Sequence, residues 1–312
     1  MAGLTAARPL IQRGWTVTLL DKGRGVGGRL ATRRIGNARA DHGAQYLTAQ
    51  TPAFQHELNV LETAGVVREW PVAGGYVPGD APYYVGIGGM NAVAKHLARD
   101  LDVQTGEKAV RVIPANGGWR VETESGRTYS ADALISTLPA PQALTLLTDS
   151  GLPLNSADRS ALAAITYQPC LAILASLHQP SRVNPPGGLL NPAADVAWLA
   201  DNHQKGASPD QPSVTILASA DFSRTHLDGD LDAAGQVLLA QVADFVPHNI
   251  IVSVQVHRWR YSLADIRHPE PFLTLRNMAA PLLLGGDGFG PLVGAENAFL
   301  SGRAMADELI KP

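Results

Sequence analysis

Asp21-Lys22-Gly23-Arg24-Gly25-Val26-Gly27-Gly28-Arg29 sets a carboxylate ahead of a basic loop with four glycines in six residues. A carboxylate there can take the two hydroxyls of a ribose. The loop behind it can turn backbone N–H groups and guanidinium groups towards a pyrophosphate. Gly3 stands eighteen positions before Asp21, the interval between the last glycine of a G-x-G-x-x-G fingerprint and its ribose-binding acid. A chance acid followed by a floppy surface turn has the same composition, so the elements around these residues must decide.

Those elements fit the first reading. Leu4, Ala7, Leu10 and Ile11 recur at helical spacing, which predicts a helix over 3–14 that Gly14 closes. Pro9 falls in the second turn, where it costs less than further along. Trp15-Thr16-Val17-Thr18-Leu19-Leu20 then reads as a short buried strand ending at Asp21. Helix, glycine, strand and terminal acid are the second half of a βαβ dinucleotide-binding unit. Its first strand and first two glycines, roughly ten to twelve residues, are expected upstream of Met1.

The totals narrow the class. A 312-residue chain that is 45% hydrophobic and 17% charged suits two globular domains or one large discontinuous one. A net charge of -3 offers nothing to nucleic acid or an anionic membrane. No run approaches the ~18 apolar residues of a membrane span. A lone cysteine, Cys170, rules out an internal disulfide and a thiolate metal site, and the scattered histidines suggest no metal. Without a secretory signal at its start, the chain is expected to be cytoplasmic.

With D-K-x-R-G-x-G-G-R in place, the sequence resembles the flavin-containing amine oxidase superfamily, and within it the bacterial renalase-like branch. Asp41-His42-Gly43-Ala44-Gln45-Tyr46 matches D-x-G-A-Q-Y, and Gly88-Gly89-Met90 matches a helix start of that branch. Trp198-Leu199-Ala200-Asp201-Asn202 with Lys205 resembles W-L-A-x-N-x-x-K, and Ala218-Ser219 through Phe222-Ser223 resembles A-[ST]-x-x-[WF]-S. His257-Arg258-Trp259-Arg260-Tyr261 resembles H-R-W-x-Y; Gly285-Gly286-Asp287 and Glu296 to Gly302 resemble G-D and E-G-A-x-x-S-G. The order is kept from residue 2 to about 309. One departure is Asn297, where the family usually has glycine close to the flavin; its side chain is expected to crowd the cofactor.

The resemblance implies FAD as cofactor. In the first motif it implies contacts from Gly3, Asp21, Lys22, Arg24, Gly27, Gly28 and Arg29. Further along, it implies Gly43, Ala44 and Gln45, the backbone at Ala109, and Thr137 and Pro139 at a strand end. Near the C-terminus it implies Gly286 and Asp287, then Glu296, Asn297 and Ala298 where a helix dipole faces the flavin's pyrimidine edge. For substrate it points to Tyr46, Trp198, Asn202, Trp259 and Tyr261. Trp198 and Trp259 equally fit a role in the core. Tyr261, two residues after Trp259, shares its strand face. Lys205 and Arg260 fit either solvated charges or readers of a substrate phosphate. His42 is not expected to act as acid or base, and His257 is expected to be structural.

The implied architecture is α/β: an FAD-binding Rossmann-like domain, its first strand missing, with a discontinuous substrate domain built on an antiparallel sheet. Residues 1–45, 86–150 and 276–312 are assigned to the first and 46–85 and 151–275 to the second. Around the turn Asn116-Gly117-Gly118, residues 108–113 and 119–123 read as a hairpin, 131–137 and 281–285 as buried strands, and 298–309 as the closing helix. The implied activity is oxidation of 2- and 6-dihydro isomers of NAD(P)H, with electrons passed to O2 to give NAD(P)+ and hydrogen peroxide. No protein side chain is nominated as catalytic, because the redox step belongs to the flavin. Two alternatives remain: a flavin amine oxidase or desaturase-like enzyme with another small substrate, and a truncated, FAD-deficient form without activity.

Overall fold

The computed structural model describes residues 1–72 and 81–311. The chain forms two compact units: Met1–Gly28, Leu97–Tyr167 and Leu263–Pro312 make the first, Arg29–His96 and Gln168–Ser262 the second. Residues 29–45 and 86–96 thus pack with the second unit and 151–167 and 263–275 with the first, a partition that differs from the sequence division. No described helix is long and apolar enough to cross a membrane.

The first unit holds the α/β framework. A helix Ala2–Gln12 leads to the strand Thr18–Asp21, which pairs in parallel with Asp102–Thr105. The strand starts three residues later than its apolar run suggests, and Trp15 stays partly exposed ahead of it. A second parallel pair joins Leu134–Ser136 to Leu282–Gly285, flanked by Phe272–Thr274. The hairpin Ala109–Ala115 to Gly118–Thr123 turns through Asn116 and Gly117, both with positive φ, as a two-residue hairpin turn requires. Val112, Trp119, Val121, Ala143, Leu147 and Leu282 anchor its core. The closing helix begins at Gly294 rather than 298 and runs to Ile310. It crosses the first helix so closely that a Cβ on Gly302 would overlap the Ala2 carbonyl oxygen.

The second unit is built on a five-stranded antiparallel sheet in the order 188–193, 196–201, 213–218, 167–177, 251–264. Strand Tyr167–Leu177 is buried almost throughout because both faces are covered. Leu171, Ile173, Ala175 and Leu177 join a core with Leu238, Leu239 and Val242, while Leu174 packs on Ile35, Ala38 and Ala40. Expected from its sequence to be strand-rich, this half also carries the helices Pro52–Thr63 and Leu231–Gln241. Their signals were local: Thr51 caps Phe54 N–H with Pro52 at the first helical position, and Asp230 caps two N–H groups.

Candidate cofactor and substrate residues

In the first unit, four separate segments converge on Thr137. A Cβ on Gly3 would lie 3.5 Å from both Leu19 Cδ2 and Thr137 Oγ1, and one on Gly286 would lie 3.7 Å from the Thr137 carbonyl oxygen. The start of the first helix, the strand that ends in Asp21, the exit of strand Leu134–Ser136 and the loop at Gly286 therefore share one place. Ser301 on the closing helix accepts from Gly286 N at 2.8 Å and ties that helix to the same loop. Strand ends and a helix N-terminus meeting at small residues are what a dinucleotide needs for close backbone approach.

The acid and its loop are shaped to match. Asp21 Oδ1 accepts from Gly23 N at 2.7 Å, which turns the chain sharply after the strand and leaves Oδ2 for another partner. Gly27 and Gly28 have φ of 130° and 53°, which side-chain-bearing residues rarely adopt. Cβ atoms on Gly25 or Gly28 would meet nothing within 4 Å, so the backbone there is open to a ligand. Gly106 N donates to the Gly23 carbonyl and Glu107 N to that of Asp21, holding the loop base. Glu107 itself accepts from Thr123 and Ser125, which hold its carboxyl below the usual range. These residues fit the phosphate and ribose portions of FAD. Ala109 lies at the start of the hairpin and Pro139 immediately precedes the helix Ala140–Asp149; Lys22 and Arg24 lie in the loop after Asp21.

Asp287, Glu296, Asn297 and Ala298 are all buried. The Asn297 side chain, expected to crowd the cofactor, is engaged with the protein's own backbone. Its amide turns back into the preceding loop, donating to Asp287 O at 2.9 Å and accepting from Leu292 N at 3.3 Å.

The second unit gathers the remaining candidates. Ala44 N donates to Arg29 O at 2.8 Å, and a Cβ on Gly43 would overlap that same oxygen, so the Gly43 turn lies flat on the Arg29 backbone. Arg29 Nη1 donates to the carbonyls of Tyr261 and Ser262, at 3.3 and 3.1 Å. Trp259 Nε1 donates to His42 O at 2.6 Å, and its ring lies 5.1 Å from that of His42 and 4.5 Å from that of His257. Tyr46 stands 4.5 Å from Tyr83 edge-on and 5.6 Å from Trp198, with Trp70 6.1 Å beyond. Trp198 is 3% exposed and lines the buried side of this cluster.

Two polar candidates have other work. Asn202 is 0% exposed; its Oδ1 accepts from Asp41 N and its Nδ2 donates to Thr215 Oγ1. Lys205 also has no exposed side-chain surface and pairs with Asp41 at 2.9 Å, while donating to Gln45 Oε1 at 3.2 Å. A lysine sealed in this way does not read a phosphate. Burial pushes its ammonium down, and Asp41 pulls it back up. Gln45 passes the restraint on, donating to the carbonyls of Asp41 and Gly43. Arg260 pairs with the exposed Asp228. Sequence reasoning missed this Asp41–Lys205–Gln45 relay because its members lie up to 164 positions apart. It also passed over Trp70 and Tyr83, for which composition alone offers only a core role.

His42 and His257 are both held neutral. Burial pushes His42 down, and burial with His42 and Arg33 as neighbours brings His257 to about 4. Arg33 Nη1 donates to His257 Nδ1 at 3.2 Å, and a guanidinium cannot accept, so the His257 proton sits on Nε2.

Fold and site together define a Rossmann-like, dinucleotide-cofactor oxidoreductase. The chain belongs to the flavin containing amine oxidoreductase family, whose pattern matches residues 75–310, and a NAD(P)-binding Rossmann-like domain matches residues 1–60. It is a flavin-dependent oxidoreductase with FAD as cofactor. It is similar to renalase from Mus musculus, 24% identical over 288 residues, covering 87% of this chain and 84% of that protein. Among solved structures, a redesigned putrescine oxidase shares the fold at a TM-score of 0.72 and 14% identity, covering 99% of this chain and 96% of the other. An oxidoreductase from Methanosarcina mazei shares it at 0.66 and 12%, covering 98% of each chain.

Proposed function

We propose that this chain oxidises dihydronicotinamide isomers, the 2- and 6-dihydro forms of NAD(P)H, to NAD(P)+. Bound FAD supplies the hydride acceptor and the site at which O2 takes the electrons. The balance is one dihydronicotinamide, one O2 and one proton consumed, with NAD(P)+ and hydrogen peroxide formed. Such a substrate needs no general base, because its ring nitrogen lone pair drives the hydride out.

The observation that carries this reading is the company the aromatic residues keep. Trp259 and Tyr261 are fixed through their backbone and ring partners to the same segment, Arg29 to Tyr46, that the family places against flavin. The imidazoles beside Trp259 are neutral, and the buried lysine is bound to a carboxylate. An aromatic wall flanked by unprotonated imidazoles suits a flat dihydropyridine. Resemblance to renalase supports the same substrate class.

Aerobic turnover with 6-dihydroNADP should form peroxide and NADP+ one for one. No peroxide with either dihydro isomer, but turnover with a primary amine, would move the chain to an amine oxidase activity, which the family name also covers.

A further inference from the structure

The loop Gly286–Val293 joins the last strand to the closing helix and contains three glycines, two of them with φ above 100°. Left alone, such a loop samples many shapes. The closing helix restrains it from one face. Ser301 accepts from Gly286 N, and one turn earlier Asn297 reaches the rest.

Asn297 is 1% exposed and lies in the first turns of the helix Gly294–Ile310 with helical backbone. Its Nδ2 donates to Asp287 O at 2.9 Å and lies 3.5 Å from Gly290 O, while its Oδ1 accepts from Leu292 N at 3.3 Å. The orientation of the amide is forced. Flipped, it would set its NH2 against an N–H and its oxygen against two carbonyls. Gly290 leaves room for it, since a Cβ there would lie 2.7 Å from Asn297 Oδ1.

We infer that Asn297 is a positioning residue for Asp287: its amide clamps three backbone groups of the loop and so fixes the acid's presentation to FAD. The inference rests on the flavin reading for its ligand, but the clamp itself is visible without one.

The test uses the full chain with Asn297→Asp, close in shape but turning a carboxylate towards two carbonyls, and Asn297→Gly. Backbone hydrogen exchange across 287–292 is measured without flavin, with the hairpin 109–123 as internal control. FAD affinity is measured by quenching of flavin fluorescence. Losing a buried hydrogen-bonded clamp is expected to speed exchange in the loop about tenfold and to weaken FAD binding by about the same factor, with the hairpin unchanged. Exchange within about twofold of the parent in both variants would overturn the clamp. Faster exchange with unchanged FAD affinity would overturn the positioning role. A parent chain that takes up no FAD would instead strike the flavin reading, while the exchange data still judge the clamp. Should Asn297→Asp not fold, Asn297→Gly carries both measurements.

Discussion

A lysine ammonium with no exposed surface persists only because groups around it replace water: Asp41, Gln45 and the ring of Trp70, whose centroid lies 5.5 Å away. Lys205→Met leaves the Asp41 charge buried and unpaired, which is expected to cost about 3–5 kcal/mol in urea unfolding. Adding Asp41→Asn, which keeps the acceptor for Met90 N, should recover much of that loss. His257 makes a pH prediction. Its folded value of about 4 lies below its ordinary 6.5, so between those values the unfolded chain binds more protons. Its contribution is therefore fully present above 6.5 and is lost as pH falls towards 4. His257→Gln should flatten thermal stability across that window by about 1–2 kcal/mol, discounted for the ring's partial exposure. The placing of Gly3 at a helix start and of Asp21 at a strand end was legible in the sequence because both lie on neighbouring elements at a fixed interval. Lys205 was not: a lysine in a polar turn looks solvated until a carboxylate from the other end of its unit is brought beside it.

The elements that position the site were legible where one period dominates. The first helix, the Asn116-Gly117 hairpin and the last buried strand follow from apolar spacing and turn chemistry. The helices Pro52–Thr63 and Leu231–Gln241 were hidden among segments read as strands, although their caps were on display. The close crossing of the first and closing helices was out of reach, because no residue pattern marks which glycine meets a foreign carbonyl. Gly302 does so. Alanine is favoured over glycine in a helix by about 1 kcal/mol, yet Gly302→Ala would overlap the Ala2 carbonyl, and overpacking costs about 1–3 kcal/mol. The overlap should win. Urea unfolding is expected to show Gly302→Ala destabilised, with FAD affinity weakened as the Gly3 turn shifts.

At the scale of the whole molecule, the fold class was readable because an α/β framework and an antiparallel sheet leave different periodicities in the chain. The partition between them was harder. Residues 29–45 follow the cofactor motif directly in sequence, yet their hydrogen bonds run to Asn202, Ser208, Ser213 and Thr215 on the antiparallel sheet side of the chain. Motif order alone does not reveal such a change of allegiance. The substrate remains a matter of chemistry on the flavin, and one measurement reaches it most directly. With FAD bound and oxygen removed, the protein is mixed rapidly with 6-dihydroNADP and the flavin absorbance is followed. Bleaching in a single turnover with stoichiometric NADP+ is the expected result. An oxidised flavin that ignores both dihydro isomers, yet bleaches with a primary amine, would contradict it.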